Sequence, residues 1–216
     1  MHEGNSMMMS ATEALERLRD GNRRFVSGVR SLETLMTQAR RDELVSGQAP
    51  FAVVLGCSDS RVPVEIVFDQ GLGDLFVIRV AGNVVAPSLI GSVEFAAEKF
   101  GTRLVVVMGH SHCGAVAATL EELERPSENR SPNLRSIVER VRPPLETVLE
   151  SHRRDEREQL MEAAVRANVR ASANQLRHGS DLLESLIRRD GLLVVGAEYA
   201  LETGAVDFFD GVPGAG

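Results

Sequence analysis

Residues 51–61 read FAVVLGCSDSR, an uncharged apolar run that ends in a cysteine, an aspartate and an arginine. A second run of the same kind, residues 104–109, is followed directly by His110 and then by Cys113. Short apolar runs of this kind are typical of strands that are buried on both faces of a parallel sheet. Because ligands of open parallel sheets bind beyond the carboxyl ends of the strands, we expect Cys57, His110 and Cys113 to converge on one point.

The remaining apolar periodicity predicts one α/β domain over residues 1–216. Its core is a mostly parallel central β-sheet of about four parallel strands plus an antiparallel edge strand, flanked by helices. Further strands are expected at 75–80 and 191–197, and an antiparallel strand at 204–209. Helices are expected at 11–27, 32–45, 88–100 and from Gly114 to just before Pro126, and over 134–189 with interruptions at Pro143-Pro144 and near Gly179. Residues 1–10 and 211–216 are predicted to be disordered tails.

Composition excludes several classes of partner. The net charge of −7 argues against nucleic acid, because phosphate binding needs a basic surface. No stretch approaches the roughly 18 apolar residues of a membrane span. Residues 1–10 lack the basic and then apolar pattern of a secretory signal, so we expect a cytoplasmic protein. In such a compartment, a disulfide between the two cysteines is disfavoured.

The two motifs carry the chemistry of a zinc site. Two thiolates and one imidazole, from Cys57, Cys113 and His110, suit tetrahedral zinc and leave one position for water or for Asp59. Arg61, two residues further on, can hold the Asp59 carboxylate ionised and fix its direction. Asp59 therefore has two options: to bind the metal and close the site, or to pair with Arg61 and leave it open. Gly114 leaves the backbone beside Cys113 accessible to a small ligand.

These residues resemble the β-class carbonic anhydrases. The resemblance covers about residues 48–120, through the segments 51–61, 68–83 and 105–118, with a weaker match at 194–199. It implies one Zn²⁺ per chain on Cys57, His110 and Cys113, with Asp59 as the fourth ligand of a closed state. The implied activity is the reversible hydration of CO2 to bicarbonate and a proton, by attack of zinc-bound hydroxide that the Asp59–Arg61 dyad orients.

The resemblance also implies a substrate cleft and an assembly. Gln48 falls where the family has a glutamine that reaches substrate across a dimer interface. The positions that line the narrow apolar cleft for CO2 hold Phe76, Ala81 and Phe95. The N-terminal helices are expected to pack on a partner subunit, in a homodimer or in a tetramer that is a dimer of dimers.

One departure from the family concerns a second bicarbonate site that some members build from a tryptophan, an arginine and a tyrosine. Arg79 and Tyr199 stand at two of these positions, but Val54 replaces the tryptophan, so inhibition by bicarbonate is not expected. Two other functions stay open: hydrolysis of carbon disulfide or carbonyl sulfide on the same scaffold, and a non-catalytic zinc-binding relative. A two-cysteine redox protein would lack a C-x-x-C pair and would leave His110 and Arg61 unexplained.

Overall fold

A five-stranded sheet lies at the centre of the computed structural model, which describes residues 9–31, 37–126, 131–151 and 157–214. The strands are β1 (Ala52–Gly56), β2 (Leu75–Arg79), β3 (Leu104–His110), β4 (Leu193–Tyr199) and β5 (Val206–Asp210). Their order is β2-β1-β3-β4-β5, with the first four parallel and β5 antiparallel to β4. The predicted α/β fold, with its antiparallel edge strand, is confirmed.

The two strands that end at the cysteine and histidine motifs lie side by side in the middle of the sheet. Every residue of β1 and β3 is buried, whereas β2 and β5, at the two edges, are partly exposed. Gly56 of β1 pairs with Met108 of β3, so both strands end at the same edge of the sheet. This pairing brings the two motifs together.

Helices cover both faces of the sheet. They are α1 (Ala11–Val26), α2 (Gln38–Leu44), α3 (Val64–Val67), α4 (Pro87–Lys99), α5 (Gly114–Glu124), α6 (Pro132–Ser151), α7 (Arg157–His178) and α8 (Asp181–Arg189). Helices α1 and α3 pack on one face, against Val54, Val106 and Val195. Helices α4, α7 and α8 pack on the other face. Such covering layers allow the central strands to be apolar on both sides.

The N-terminal helix is fixed by its cap and its apolar face. The Ser10 hydroxyl accepts a hydrogen bond from the Glu13 backbone N–H, and the Glu13 carboxylate accepts one from the Ser10 backbone N–H. Leu15 and Leu18 of α1 are buried against the chain's own sheet. Packing of this region on a partner subunit stays a prediction. Of the predicted tails, 1–8 and 215–216 lie outside the described residues, and Val212 packs against the core.

Three predicted helix boundaries can be compared with the structure. Helix α6 runs through Pro143 and Pro144, where an interruption was expected, although two backbone donors are missing there. Buried Val138, Val141 and Leu145 on either side of the prolines hold the helix by tertiary packing, which outweighs local propensity.

The predicted helix 32–45 is described only from residue 37 onward, where the Thr37 hydroxyl caps α2 by accepting a hydrogen bond from the Arg40 backbone N–H. The predicted interruption near Gly179 is confirmed, since α7 ends at His178.

Of the helices in the described ranges, none combines the length and the apolar character that crossing a bilayer requires.

Candidate metal centre

Three buried side chains meet where β1 and β3 end. Cys57 follows β1, His110 is the last residue of β3, and Cys113 is the N-cap of α5. One ligand atom from each of the three lies within 4.8 Å of those of the other two. Cys57 is 5% exposed, Cys113 1% and His110 0%, and both thiols are free. The predicted convergence of these residues is therefore present in the fold.

The imidazole of His110 is oriented for metal binding. Its Nδ1 lies 2.9 Å from the Ser111 carbonyl oxygen, which can only accept, so Nδ1 carries the proton and Nε2 presents a lone pair. Among the described residues, the buried Nε2 has no hydrogen-bond partner. A buried polar atom is rarely left without a partner, and a bound cation would supply one. The histidine thus fits a metal ligand.

The interactions between the two cysteines favour one thiolate, at Cys57, and this negative charge attracts a cation. The hydrogen bond with Cys113 lowers the pKa of Cys57 to about 4, although burial acts in the opposite direction. The same interaction with Cys57, together with burial, raises the pKa of Cys113. Burial lowers the pKa of His110, but the interactions with Cys57 and Asp59 raise it more. Cys57, Cys113 and His110 would hold a divalent ion as two thiolates and a neutral imidazole, so its binding would release protons, and a donor set of two sulfurs and one nitrogen suits zinc.

A backbone hydrogen bond supports the first cysteine. The Gly82 N–H donates to the Cys57 Sγ at 3.4 Å, and the Asn168 Nδ2 donates to the Gly82 carbonyl at 2.8 Å. Gly82 has a φ of 68°, which favours glycine. Sequence reasoning missed both residues. The available signal for Asn168 was an amide between Val165 and Val169 on the buried face of α7.

Beside the three ligands, Asp59 and Arg61 form a forked ion pair. The Arg61 Nε donates to Asp59 Oδ1 at 2.9 Å and its Nη2 to Oδ2 at 2.8 Å, while the Arg61 backbone N–H donates to Oδ1 at 3.0 Å. The hydrogen bond with the Arg61 side chain holds the pKa of Asp59 well below its usual range. Asp59 Oδ2 lies 3.9 Å from His110 Nε2. In this arrangement both carboxylate oxygens face Arg61, which is the open option of the two predicted from the sequence.

Comparison with known proteins identifies the family. The family profile described as carbonic anhydrase matches residues 52–206, most of the chain. The chain belongs to the β-carbonic anhydrase family. The predicted family and the predicted enzyme class, a carbonic anhydrase, are thereby confirmed.

Relatives and solved structures agree with this assignment. The chain is 49% identical over 139 residues to a carbonic anhydrase of Mycolicibacterium smegmatis, covering 64% of this chain and 65% of that protein. It is 39% identical over 193 residues to carbonic anhydrase 2 of Mycobacterium tuberculosis, covering 88% and 89%. One of two tetrameric β-carbonic anhydrases from Sordaria macrospora has a similar structure, with a TM-score of 0.65, 28% identity and coverage of 78% of this chain and 84% of that one.

In this β-carbonic anhydrase the predicted substrate residues fall into two groups. Ala81 begins the short 3-10 turn (Ala81–Asn83) whose Gly82 contacts Cys57, and the exposed Gly114 directly follows Cys113. Gln48, by contrast, is exposed just before β1. Phe76 pairs in register with Val53, so Cys57 lies four residues further along the neighbouring strand, at roughly 13 Å for a strand rise of about 3.3 Å per residue. The ring of Phe95, which is 52% exposed, lies against Phe76 with centroids 6.2 Å apart.

Arg79 and Tyr199, which stand at two positions of the second bicarbonate site of some family members, make other contacts in this structure. Arg79 donates from Nε to the Cys57 carbonyl at 3.0 Å and from Nη2 to the Asp59 carbonyl at 2.6 Å. Val54 is fully buried, and Tyr199 is 5% exposed in the same core cluster, where burial raises its pKa. The expectation that bicarbonate does not inhibit through these positions stays a prediction.

Proposed function

We propose that this protein catalyses the zinc-dependent reversible hydration of CO2 to bicarbonate and a proton. The observation that carries this proposal is the Asp59–Arg61 fork beside the buried group of Cys57, His110 and Cys113, in a chain of the β-carbonic anhydrase family. A structural zinc site needs the three ligands but not an ionised, directed carboxylate beside them. Retention of Gln48 likewise favours a catalytic protein over a non-catalytic relative.

Cys57, His110 and Cys113 would hold one zinc ion per chain, which when bound supplies Lewis acidity and lowers the pKa of water so that a nucleophile forms at moderate pH. Asp59 acts as an acceptor only, because the fork keeps its carboxylate ionised. It can therefore accept a hydrogen bond from the nucleophile and so direct a lone pair of the nucleophile's oxygen towards the carbon of CO2. Arg61 fixes the plane of that carboxylate from the side that faces solvent.

The substrate cleft in this proposal is shared between two subunits. Gln48, Phe76 and Phe95 lie towards the opposite end of the strands from Cys57, so within one chain they are remote from the ligands. A partner subunit can bring them to the cleft, beside Ala81 and Gly114. The exposed aromatic ring of Phe95 and the tetrameric relative support a homodimer or a dimer of dimers. The proposed location is the cytoplasm, where reducing conditions keep Cys57 and Cys113 from forming a disulfide.

Refolding two variants together, each expected to have a low rate, tests whether the cleft is shared. In the proposed dimer, each cleft takes Asp59 from the chain that holds its zinc and Gln48 from the other chain. Gln48→Ala removes the second of these residues, and Asp59→Asn removes the first. When the two are unfolded together and refolded, a mixed dimer contains one cleft with both wild-type residues. We expect recovery of activity above that of either variant alone. If Gln48 acts within its own chain, no mixed dimer has a complete site, and the absence of recovery would contradict the shared cleft.

The reaction itself is tested by mass spectrometry of ¹⁸O loss from labelled CO2, on protein of known zinc content. Release of sulfide from carbon disulfide and carbonyl sulfide is measured in parallel, because the ligands alone do not distinguish these substrates from CO2. We expect rapid ¹⁸O loss and slow sulfide release. The reverse result would assign the sulfur substrates, and zinc binding without either reaction would assign a non-catalytic relative.

A further inference from the structure

We propose that Arg79 is a positioning residue that clamps the segment carrying the first zinc ligand and the catalytic carboxylate. This inference rests on the proposed function, because it concerns the orientation of Asp59. Arg79 bonds two backbone carbonyls that are two residues apart, those of Cys57 and Asp59, at 3.0 Å and 2.6 Å. The planar fork of the guanidinium holds both at once, which fixes Asp59 relative to the Cys57 main chain.

The clamp acts where strand pairing stops. Arg79 is the last residue of β2 and pairs with Gly56, the last residue of β1, and the Val80 N–H donates to the Gly56 carbonyl at 3.1 Å. Beyond Gly56 the chain leaves the sheet, and Ser58 is exposed. The Cys57 and Asp59 carbonyls therefore lie beyond the backbone hydrogen bonds that join β1 to β2. The Arg79 side chain, at the end of β2, binds them instead.

The same contacts separate the clamp from an anion receptor. The Nε and Nη2 of Arg79 both donate to backbone oxygens, so these two donors are not directed at an anion. The buried side chain of Val54 cannot hydrogen-bond an anion, and the Tyr199 ring lies in the core. Without the clamp, the Asp59 carboxylate would gain freedom to leave the Arg61 fork, and the productive geometry would be populated less often.

Arg103 provides a matched control. Its Nη1 donates to the Ala97 and Thr102 carbonyls at 2.9 Å and 3.3 Å, just before β3 begins and thus at the opposite end of the sheet from the site. Arg79→Met, Arg79→Lys and Arg103→Met are compared with wild type for zinc content, thermal stability, amide hydrogen exchange of the segment 57–61, and steady-state hydration.

For Arg79→Met we expect full zinc content, a KM within about twofold of wild type, a kcat lower by roughly tenfold, and faster exchange at 57–61, since a hydrogen bond to a positioned group is lost. Arg79→Lys, which can reach one carbonyl, is expected to recover part of the kcat. Arg103→Met is expected to lose stability without a change in kcat or in exchange at 57–61.

Unchanged kcat and unchanged exchange in Arg79→Met would overturn the clamp. A second outcome would also overturn it. If bicarbonate inhibits wild type but not Arg79→Met, and the two proteins have the same rate without bicarbonate, Arg79 is an anion receptor. If wild type itself does not hydrate CO2, the proposed function fails separately. The exchange comparison then supports the clamp if 57–61 exchanges faster in Arg79→Met alone, and overturns it if it does not.

Discussion

The substitution Asp59→Asn removes the negative charge of the side chain with little change of shape. It therefore separates the effect of that charge on the rate from the effect of the ion pair on stability. Its cost in stability is modest, because Arg61 is 54% exposed, so solvent screens the pair although Asp59 is only 19% exposed, and such a pair contributes about 1 kcal/mol. For a chain of this size that is a shift in melting temperature of at most about 2–4 °C. Its cost in rate is larger. Loss of a group that orients or handles a proton lowers the rate roughly 10²-fold or more, about 2.7 kcal/mol of activation free energy.

The pH dependence of this effect follows from the lowered pKa of Asp59. A carboxylate whose pKa is lowered on folding contributes its stabilisation above the ordinary Asp pKa, about 4, and loses it as the pH falls further. Between about pH 7 and about pH 8.4, Asp59 is fully ionised. We therefore expect the ratio of wild-type to Asp59→Asn rates to be the same at both pH values.

The assay is stopped-flow CO2 hydration on protein with measured zinc, with Asp74→Asn as the control. Asp74 has a side-chain exposure of 20%, close to the 19% of Asp59, and pairs with Arg17 at 3.1 Å. It lies just before β2, at the opposite end of the sheet from the zinc ligands. The control variant should keep its full rate. If Asp59→Asn retains zinc and full activity, the role given to the dyad is refuted.

Three further predictions concern the metal, the backbone and pH. His110→Asn should lower zinc from one per chain to a small fraction by elemental analysis, because the imidazole lone pair that faces the thiols is lost; full zinc content would remove His110 from the ligands. Gly82→Ala should lower the melting temperature by a few degrees, at a cost of about 1–2 kcal/mol. The reasons are that φ is 68° and that the new Cβ would lie 3.0 Å from the Ala115 Cβ. An unchanged melting temperature would show that alanine fits this turn without strain. Hydration should be faster near pH 8.4 than near pH 7, because two thiolate donors reduce the Lewis acidity of zinc relative to imidazoles. A rate that has already reached its full value at acid to neutral pH, and is equal at pH 7 and pH 8.4, would contradict this.

The sequence predicts the zinc ligands well because a general rule of parallel sheets places them. Once residues 51–56 and 104–109 are taken as strands, the end of each strand fixes where Cys57 and His110 lie, without knowledge of any side-chain contact. The spacing of Asp59 and Arg61 likewise predicts their pairing. For these residues, local pattern and topology are sufficient.

The contacts that support the site could not be predicted in this way. Arg79 bonds carbonyls that are 20 and 22 residues away in the chain, and Asn168 reaches a carbonyl 86 residues away. No periodicity encodes contacts with backbone oxygens in loops, because these depend on how the elements pack. The continuous helix through Pro143 and Pro144 has the same origin, since burial on both sides of the prolines outweighs their local effect.

The most direct test of the central claim is the rate of CO2 hydration by wild-type protein of measured metal content, near pH 8.4 and near pH 7. The account predicts one zinc per chain, fast hydration, and a higher rate at the higher pH. One zinc per chain without hydration at either pH would contradict it.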